Sequence, residues 1–170
     1  MVYIAVAGII FLMDSVIKFL VEHLGEENKR VPIFKGRMYL TKYHNRGAFL
    51  DFGENRSMAV RYVSAILTAG CLLVFLVTLG SCGKRFLKLG LSMMLGGAFS
   101  NTCDRMTRHY VVDYIGFASK WKKFSNVVYN ISDFFIMTGA VMAVLADGGN
   151  RQREEITCPS DKNAPEFRES

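Results

Sequence analysis

Two aspartates set in apolar surroundings have the types and spacing to do chemistry. Asp113 lies in Tyr-Val-Val-Asp-Tyr and Asp133 in Tyr-Asn-Ile-Ser-Asp. Carboxylates inside apolar segments are costly, so they need a pairing or functional reason. Brought close together, two such groups cannot both ionise readily and share one proton. The ionised member can then take a proton from water while the protonated one donates. Around them stand further polar groups. Asn101, Asp104 and Arg105 end a glycine-bearing apolar run, and Asn130 lies three residues before Asp133. Arg105 offers several fixed donors for a carbonyl or carboxylate, and equally suits a lipid phosphate. Asn45-Arg-Gly47 reads first as ordinary turn chemistry. Asp14 and Lys18, four apart, would share one helix face and can pair. An ion pair within the helix and a role in supporting the site are both open.

The elements that must position these groups follow from the apolar pattern. The chain has 170 residues, 51% hydrophobic, with a net charge of +6 and a pI of about 9.2. The apolar residues gather in four blocks, over about 1–21, 58–79, 86–104 and 127–146, with charges between them. Each has roughly the length of a membrane span. Basic residues flank the blocks, which favours anionic lipid over nucleic acid as the partner. Gly90, Gly96 and Gly97 would let neighbouring helices approach closely. Arg61, near the start of the second block, can snorkel to the interface. The polar connections 22–57 and 101–126 hold strand-like stretches at Arg37–Tyr43 and Val111–Ile115. Trp121, among lysines, suits a membrane interface. The expected architecture is a mainly α membrane protein, with four transmembrane helices and a small β-rich cradle. Residues 1–146 form a single domain. Residues 147–170 form a polar tail, read as disordered.

Four spans put both termini on one side and the two long connections on the other. Asn45, Asn101, Arg105, Asp113, Asn130 and Asp133 then share one membrane face. The Lys and Arg count favours a cytoplasmic position for that face, with seven in 22–57 against two in 81–85. The four cysteines and three histidines are scattered without ligand spacing, so no metal site is expected. Other functions remain in view at this level. One is a transport or proton-relay protein using intramembrane carboxylates. Another is an assembly protein whose polar groups join helices.

Five motifs in order resemble those of the lipoprotein signal peptidases, the bacterial type II signal peptidases. Asp14-Ser-Val-Ile-Lys18 resembles the family's Asp-Gln-x-Thr-Lys, and Asn45-Arg-Gly-Ala-Phe49 matches Asn-x-Gly-Ala-Phe. Gly96-Gly-Ala-Phe-Ser-Asn101-Thr-Cys-Asp104-Arg105 resembles Gly-Gly-Ala-x-Gly-Asn-x-x-Asp-Arg. Val111-Val-Asp113-Tyr resembles Val-Val-Asp-Phe, and Tyr129-Asn130-Ile-Ser-Asp133 resembles Phe-Asn-x-Ala-Asp. The departures are Ser15, Ile17, Ser100, Tyr114, Tyr129 and Ser132, where the pattern has Gln, Thr, Gly, Phe, Phe and Ala. The resemblance spans about Phe11–Ala146. It implies an aspartic endopeptidase of the bacterial cell membrane that needs no cofactor and removes signal peptides from diacylglyceryl-modified prolipoproteins. The cut falls just before the lipid-modified cysteine. It also implies Asp113 and Asp133 as the catalytic pair. Asn45, Gly47, Asn101, Asp104, Arg105, Asn130, Asp14 and Lys18 are implied to bind substrate or support the site. The active face would be extracytoplasmic, the termini cytoplasmic, the substrate's lipid chains in the bilayer, and globomycin an inhibitor.

Overall fold

The computed structural model describes residues 1–27, 29–47, 57–118 and 127–150. The expectations for Ala48 and Phe49, for Trp121 and for residues 151–170 lie outside these residues. Four helices run through the described chain: α1 (Val2–Leu24), α2 (Ser57–Gly80), α3 (Arg85–Thr107) and α4 (Ile131–Asn150). Four short strands form one antiparallel sheet in the order β1 (Val31–Ile33), β2 (Met38–Asn45), β3 (Val111–Phe117), β4 (Val128–Tyr129).

The helices are inside out relative to those of a water-soluble protein. On α1 the buried residues are Ile10, Asp14 and Lys18, at four-residue spacing, while Ile9, Leu12, Val16 and Phe19 are exposed. An amphipathic helix in water would put its apolar stripe inward. Here the polar stripe points inward and the apolar surface outward. Over their apolar windows, α1 and α2 each have a mean hydropathy of 2.3 and the length to cross a bilayer. The stretch Ile131–Ala146 of α4 is apolar but shorter.

Helix α3 is less apolar for a positional reason. It packs against α1, α2 and α4, so its neighbours are mainly protein. Lys88, Ser92, Ser100, Asn101 and Asp104 are accordingly buried along it. Its glycines make that central position possible. A Cβ on Gly97 would sit 2.6 Å from the Ser132 carbonyl oxygen, and one on Gly90 would sit 2.8 Å from that of Gly139. Backbones that close need a residue without a side chain. Phe75 of α2 fills the space beside Leu91 and Leu95.

The sheet sits at the end of the bundle where α1 and α3 finish and α4 begins. Tyr43 pairs with Asp113 and Asn45 with Val111, after a register shift between Leu40 and Tyr43. Two positions along from Val111, Asp113 becomes the diagonal neighbour of Asn45. Pro32, which has no N–H to donate, lies in the edge strand β1. The fourth apolar block does not begin as helix. Val128 and Tyr129 pair with Gly116 and Ile115 as β4, and the helix starts only at Ile131. At its far end α4 runs on to Asn150, past the boundary expected near Ala146.

Candidate active site

Asn130 joins the two carboxylates. It stands just before α4, and its side-chain oxygen accepts the Asp133 amide at 3.1 Å. The Asp133 carboxylate, through Oδ2, accepts the Asn130 amide at 3.1 Å in return. This is a reciprocal cap, in which a residue before the helix and one three positions later satisfy each other's orphan amides. The remaining donor of Asn130, Nδ2, reaches Asp113 Oδ1 at 2.6 Å. One side chain thus fixes Asp133 locally and reaches Asp113 across the site. Asn130 lies outside the helix that carries Asp133 and caps it.

The other oxygen of Asp113 accepts Asn45 Nδ2 at 2.8 Å. Asn45 Oδ1 takes the Gly47 amide at 3.0 Å, the two-residue turn expected of Asn-x-Gly. Arg105 Nη2 donates to the Gly47 carbonyl at 3.2 Å, so α3 holds the turn that holds Asn45. Asp133 Oδ1 accepts Asn101 Nδ2 at 2.9 Å. Asp113 is 2% exposed. Burial and the neighbouring charge of Asp133 push its carboxyl up to about 7, against Asn45, Asn130 and the charge of Lys18, which favour the anion. A carboxyl that titrates there can hold or release a proton at neutral pH.

A cavity of about 90 Å³ opens onto Asn45, Asn101, Arg105, Asp113, Asn130 and Asp133. A larger groove of about 420 Å³ shares Asn101, Arg105 and Asp133 and continues between α2, α3 and α4 along Leu67, Met94 and Ile136. Arg105 lines both spaces, and its buried Nε has no hydrogen-bond partner among the described residues.

Asp14 and Lys18 form a separate cluster beside this site. Lys18 Nζ lies 2.9 Å from Asp14, 3.1 Å from Asp104 and 2.7 Å from Asn101 Oδ1. Because Lys18 occupies that oxygen, the Asn101 amide must present its nitrogen to Asp133. The ion pair within α1 is therefore real and supports the site as well. Asp104 pairs with Lys18 and, at 3.8 Å, with Arg108 rather than with the adjacent Arg105. It does not line the cavity onto which Asp113 and Asp133 open.

All ten residues singled out in the sequence fall in these two adjoining clusters. Three hydroxyls were not recognised as part of them. Ser100 and Ser132 each donate to Asp14 Oδ2 at 2.6 Å, and the Tyr114 hydroxyl reaches Asp14 Oδ1 at 3.1 Å. Their only signal was polarity inside apolar runs. Glu22 was also missed. It accepts from Tyr110 and contacts His44 and Lys42, tying the end of α1 to the sheet. The Asn-x-x-Asp cap had a signal that could have been used: a capping residue and an acid, three apart, before an apolar run.

An inside-out helical bundle with a sheet over one end and two joined carboxylates defines a membrane protein with an enzyme-like site. Solved structures share that fold: two bacterial membrane enzymes superpose with TM-scores of 0.73 and 0.70, at 20% and 18% identity, covering 91% and 88% of this chain and 94% of each of theirs. Residues 6–147 match the family described as Signal peptidase (SPase) II. The lipoprotein signal peptidase of Halothermothrix orenii is 33% identical over 85% of the chain and 93% of its own length. That of Shouchella clausii is 31% identical over 90% and 98%, and that of Bacillus subtilis 27% over 91% and 100%. The chain belongs to the signal peptidase II family. It is a peptidase, and a membrane protein.

Proposed function

We propose that this peptidase removes signal peptides from prolipoproteins, cutting before a diacylglyceryl-modified cysteine, with water activated by Asp113 and Asp133. The observation that carries the reading is Asn130, which hydrogen-bonds to both carboxylates at once. Among the described residues no Lys or Arg forms an ion pair with either acid. The charges of Arg105 and Lys18 act on the two acids without a direct ion pair, which leaves the pair able to share one proton.

In the reaction the ionised acid takes a proton from water as the oxygen attacks the scissile carbonyl carbon. The protonated acid donates to the carbonyl oxygen, giving a tetrahedral intermediate. The amine then leaves with a proton returned from the dyad. The two acids titrate as a unit, so neither is assigned as acid or base. Arg105 and Asn101 line the cavity and would hold the substrate backbone. Such placement contributes as much as the proton transfers. The groove beyond them suits the apolar signal peptide and the lipid chains.

The four helices are proposed to be four spans, α3 crossing inside a shell of the other three. The sheet and the dyad would then lie at the extracytoplasmic face and the termini in the cytoplasm. Membrane lipid is the surrounding partner. The family resemblance supports this orientation against the charge count, because connections that build a site follow its demands.

The test is cleavage by purified full-length protein of two peptides that differ only in diacylglyceryl modification of the cysteine. Cleavage of the modified peptide alone, just before the cysteine, is expected. Equal cleavage of both, or a cut elsewhere, would refute the substrate assignment.

A further inference from the structure

Behind the dyad, on the other face of β3, lies a polar cluster that the proposed reaction does not use. Asp113 and Tyr114 are consecutive strand residues, so their side chains leave opposite faces. The Tyr114 hydroxyl lies 3.1 Å from Asp14 Oδ1 and 3.1 Å from the Ile131 amide. The amide can only donate, so the hydroxyl proton must point at Asp14. Ile131 opens α4, and its N–H is one of those a helix leaves without an internal partner. The next residue, Ser132, also donates to Asp14, at 2.6 Å. Two tethers therefore bind the first turn of α4 to one buried carboxylate of α1, immediately before Asp133. Ser100 adds a third hydroxyl from α3. The three hydroxyls occupy positions where the chain departs from the family pattern quoted above.

We propose that Tyr114 is a positioning residue for the hydrolysis. Its backbone adjoins Asp113 and its hydroxyl holds the turn that carries Asp133, so it sets the spacing of the two acids. The proposal rests on the dyad reading. The polar and charged groups that face these residues are Asp14 and Lys18 from α1, Ser100, Asn101, Asp104 and Arg105 from α3, Asn45 from β2, and Asn130, Ser132 and Asp133 at the start of α4. Of these, the charge of Asp133 raises the Asp113 carboxyl, and the effect weakens as the two move apart. Losing the tether therefore lowers the upper limb of the pH–rate profile. A hydroxyl that only stabilised the fold would leave the limb in place.

The experiment compares wild type, Tyr114→Phe and Ser132→Ala on a diacylglyceryl-modified prolipoprotein peptide, each rate normalised to folded protein. Asp113→Asn is the control. Tyr114→Phe is expected to lower kcat about tenfold with KM nearly unchanged, and to move the upper limb toward acid by about half a unit. Ser132→Ala should move it the same way by less. An unchanged kcat and limb in folded Tyr114→Phe would overturn the positioning role. If that variant does not fold, Ser132→Ala decides alone: a shifted limb supports the role and a fixed one overturns it. Failure of wild type to cleave, or full activity in Asp113→Asn, would instead remove the dyad reading and this proposal with it.

Discussion

Two buried carboxylates, Asp14 and Asp113, sit a short distance apart in chemistry but not in kind. Asp14 is 0% exposed, pairs with Lys18 at 2.9 Å and accepts three hydroxyls besides. Every partner favours its anion. Asp113 is as deeply buried, but two neutral amides serve it, and Asp133, another acid, stands beside it. The first carboxylate has a settled charge and joins four elements. The second has an unsettled one and can exchange a proton. Burial alone does not separate the two acids in this molecule; the charge of their partners does.

Lys18→Met should break the settled cluster with the largest effect on stability. It leaves Asp14 and Asp104 buried without their cation, a loss of about 3–5 kcal/mol, read as a lower thermal unfolding temperature in detergent. Replacing Asp14 and Lys18 together should cost less than Lys18→Met alone. A cost equal to the sum of the two single replacements would mean that the pair is not coupled.

The unsettled acid should respond in the opposite sense. The Asp113 carboxyl rises from about 3.9 in an unfolded chain to about 7 in the fold. A raised carboxyl contributes stability that is present below pH about 4 and is lost as pH climbs to about 7. Asp113→Asn sets an amide nitrogen against one of the two donors at every pH but removes that pH-dependent loss, so between pH 4 and pH 8 its stability relative to wild type should improve by up to a few kcal/mol. Near pH 4 only the cost of the mismatched amide should remain. A stability difference that does not change between pH 4 and pH 8 would place Asp113 in the same class as Asp14.

Asn130→Ala should cost about 1 kcal/mol as a lost helix cap and should lower turnover far more than stability, since both acids lose a donor. Glu22→Gln, at the half-exposed contact with His44, should change stability by less than about 1 kcal/mol and leave cleavage intact.

Much of this was legible in the sequence. The helices follow from apolar length, and the strands at Arg37–Tyr43 and Val111–Ile115 appear as β2 and β3 with their ends moved by a few residues. The glycines of α3 pack as expected. What failed had a common cause. Val128 and Tyr129 are apolar enough to read as helix, but strand pairing with Ile115 and Gly116 is tertiary and leaves no local mark. Asp104 and Arg105 are adjacent in sequence, but on a helix neighbours one apart point away from each other, and Lys18 and Arg108 are what Asp104 meets. The hydroxyls around Asp14 come from three elements, so no spacing within the chain announces them.

The most direct measurement is cleavage of a diacylglyceryl-modified prolipoprotein peptide by purified wild type, Asp113→Asn and Asp133→Asn, with Asp14→Asn alongside and chelator present. Folded Asp113→Asn and Asp133→Asn should both lose turnover by about 1,000-fold or more. Folded Asp14→Asn, which disturbs the acceptor of the Tyr114 and Ser132 tethers, should lose no more than about tenfold in turnover per molecule. Full turnover in either dyad variant, or a per-molecule loss in Asp14→Asn equal to theirs, would contradict the division between the two buried acids.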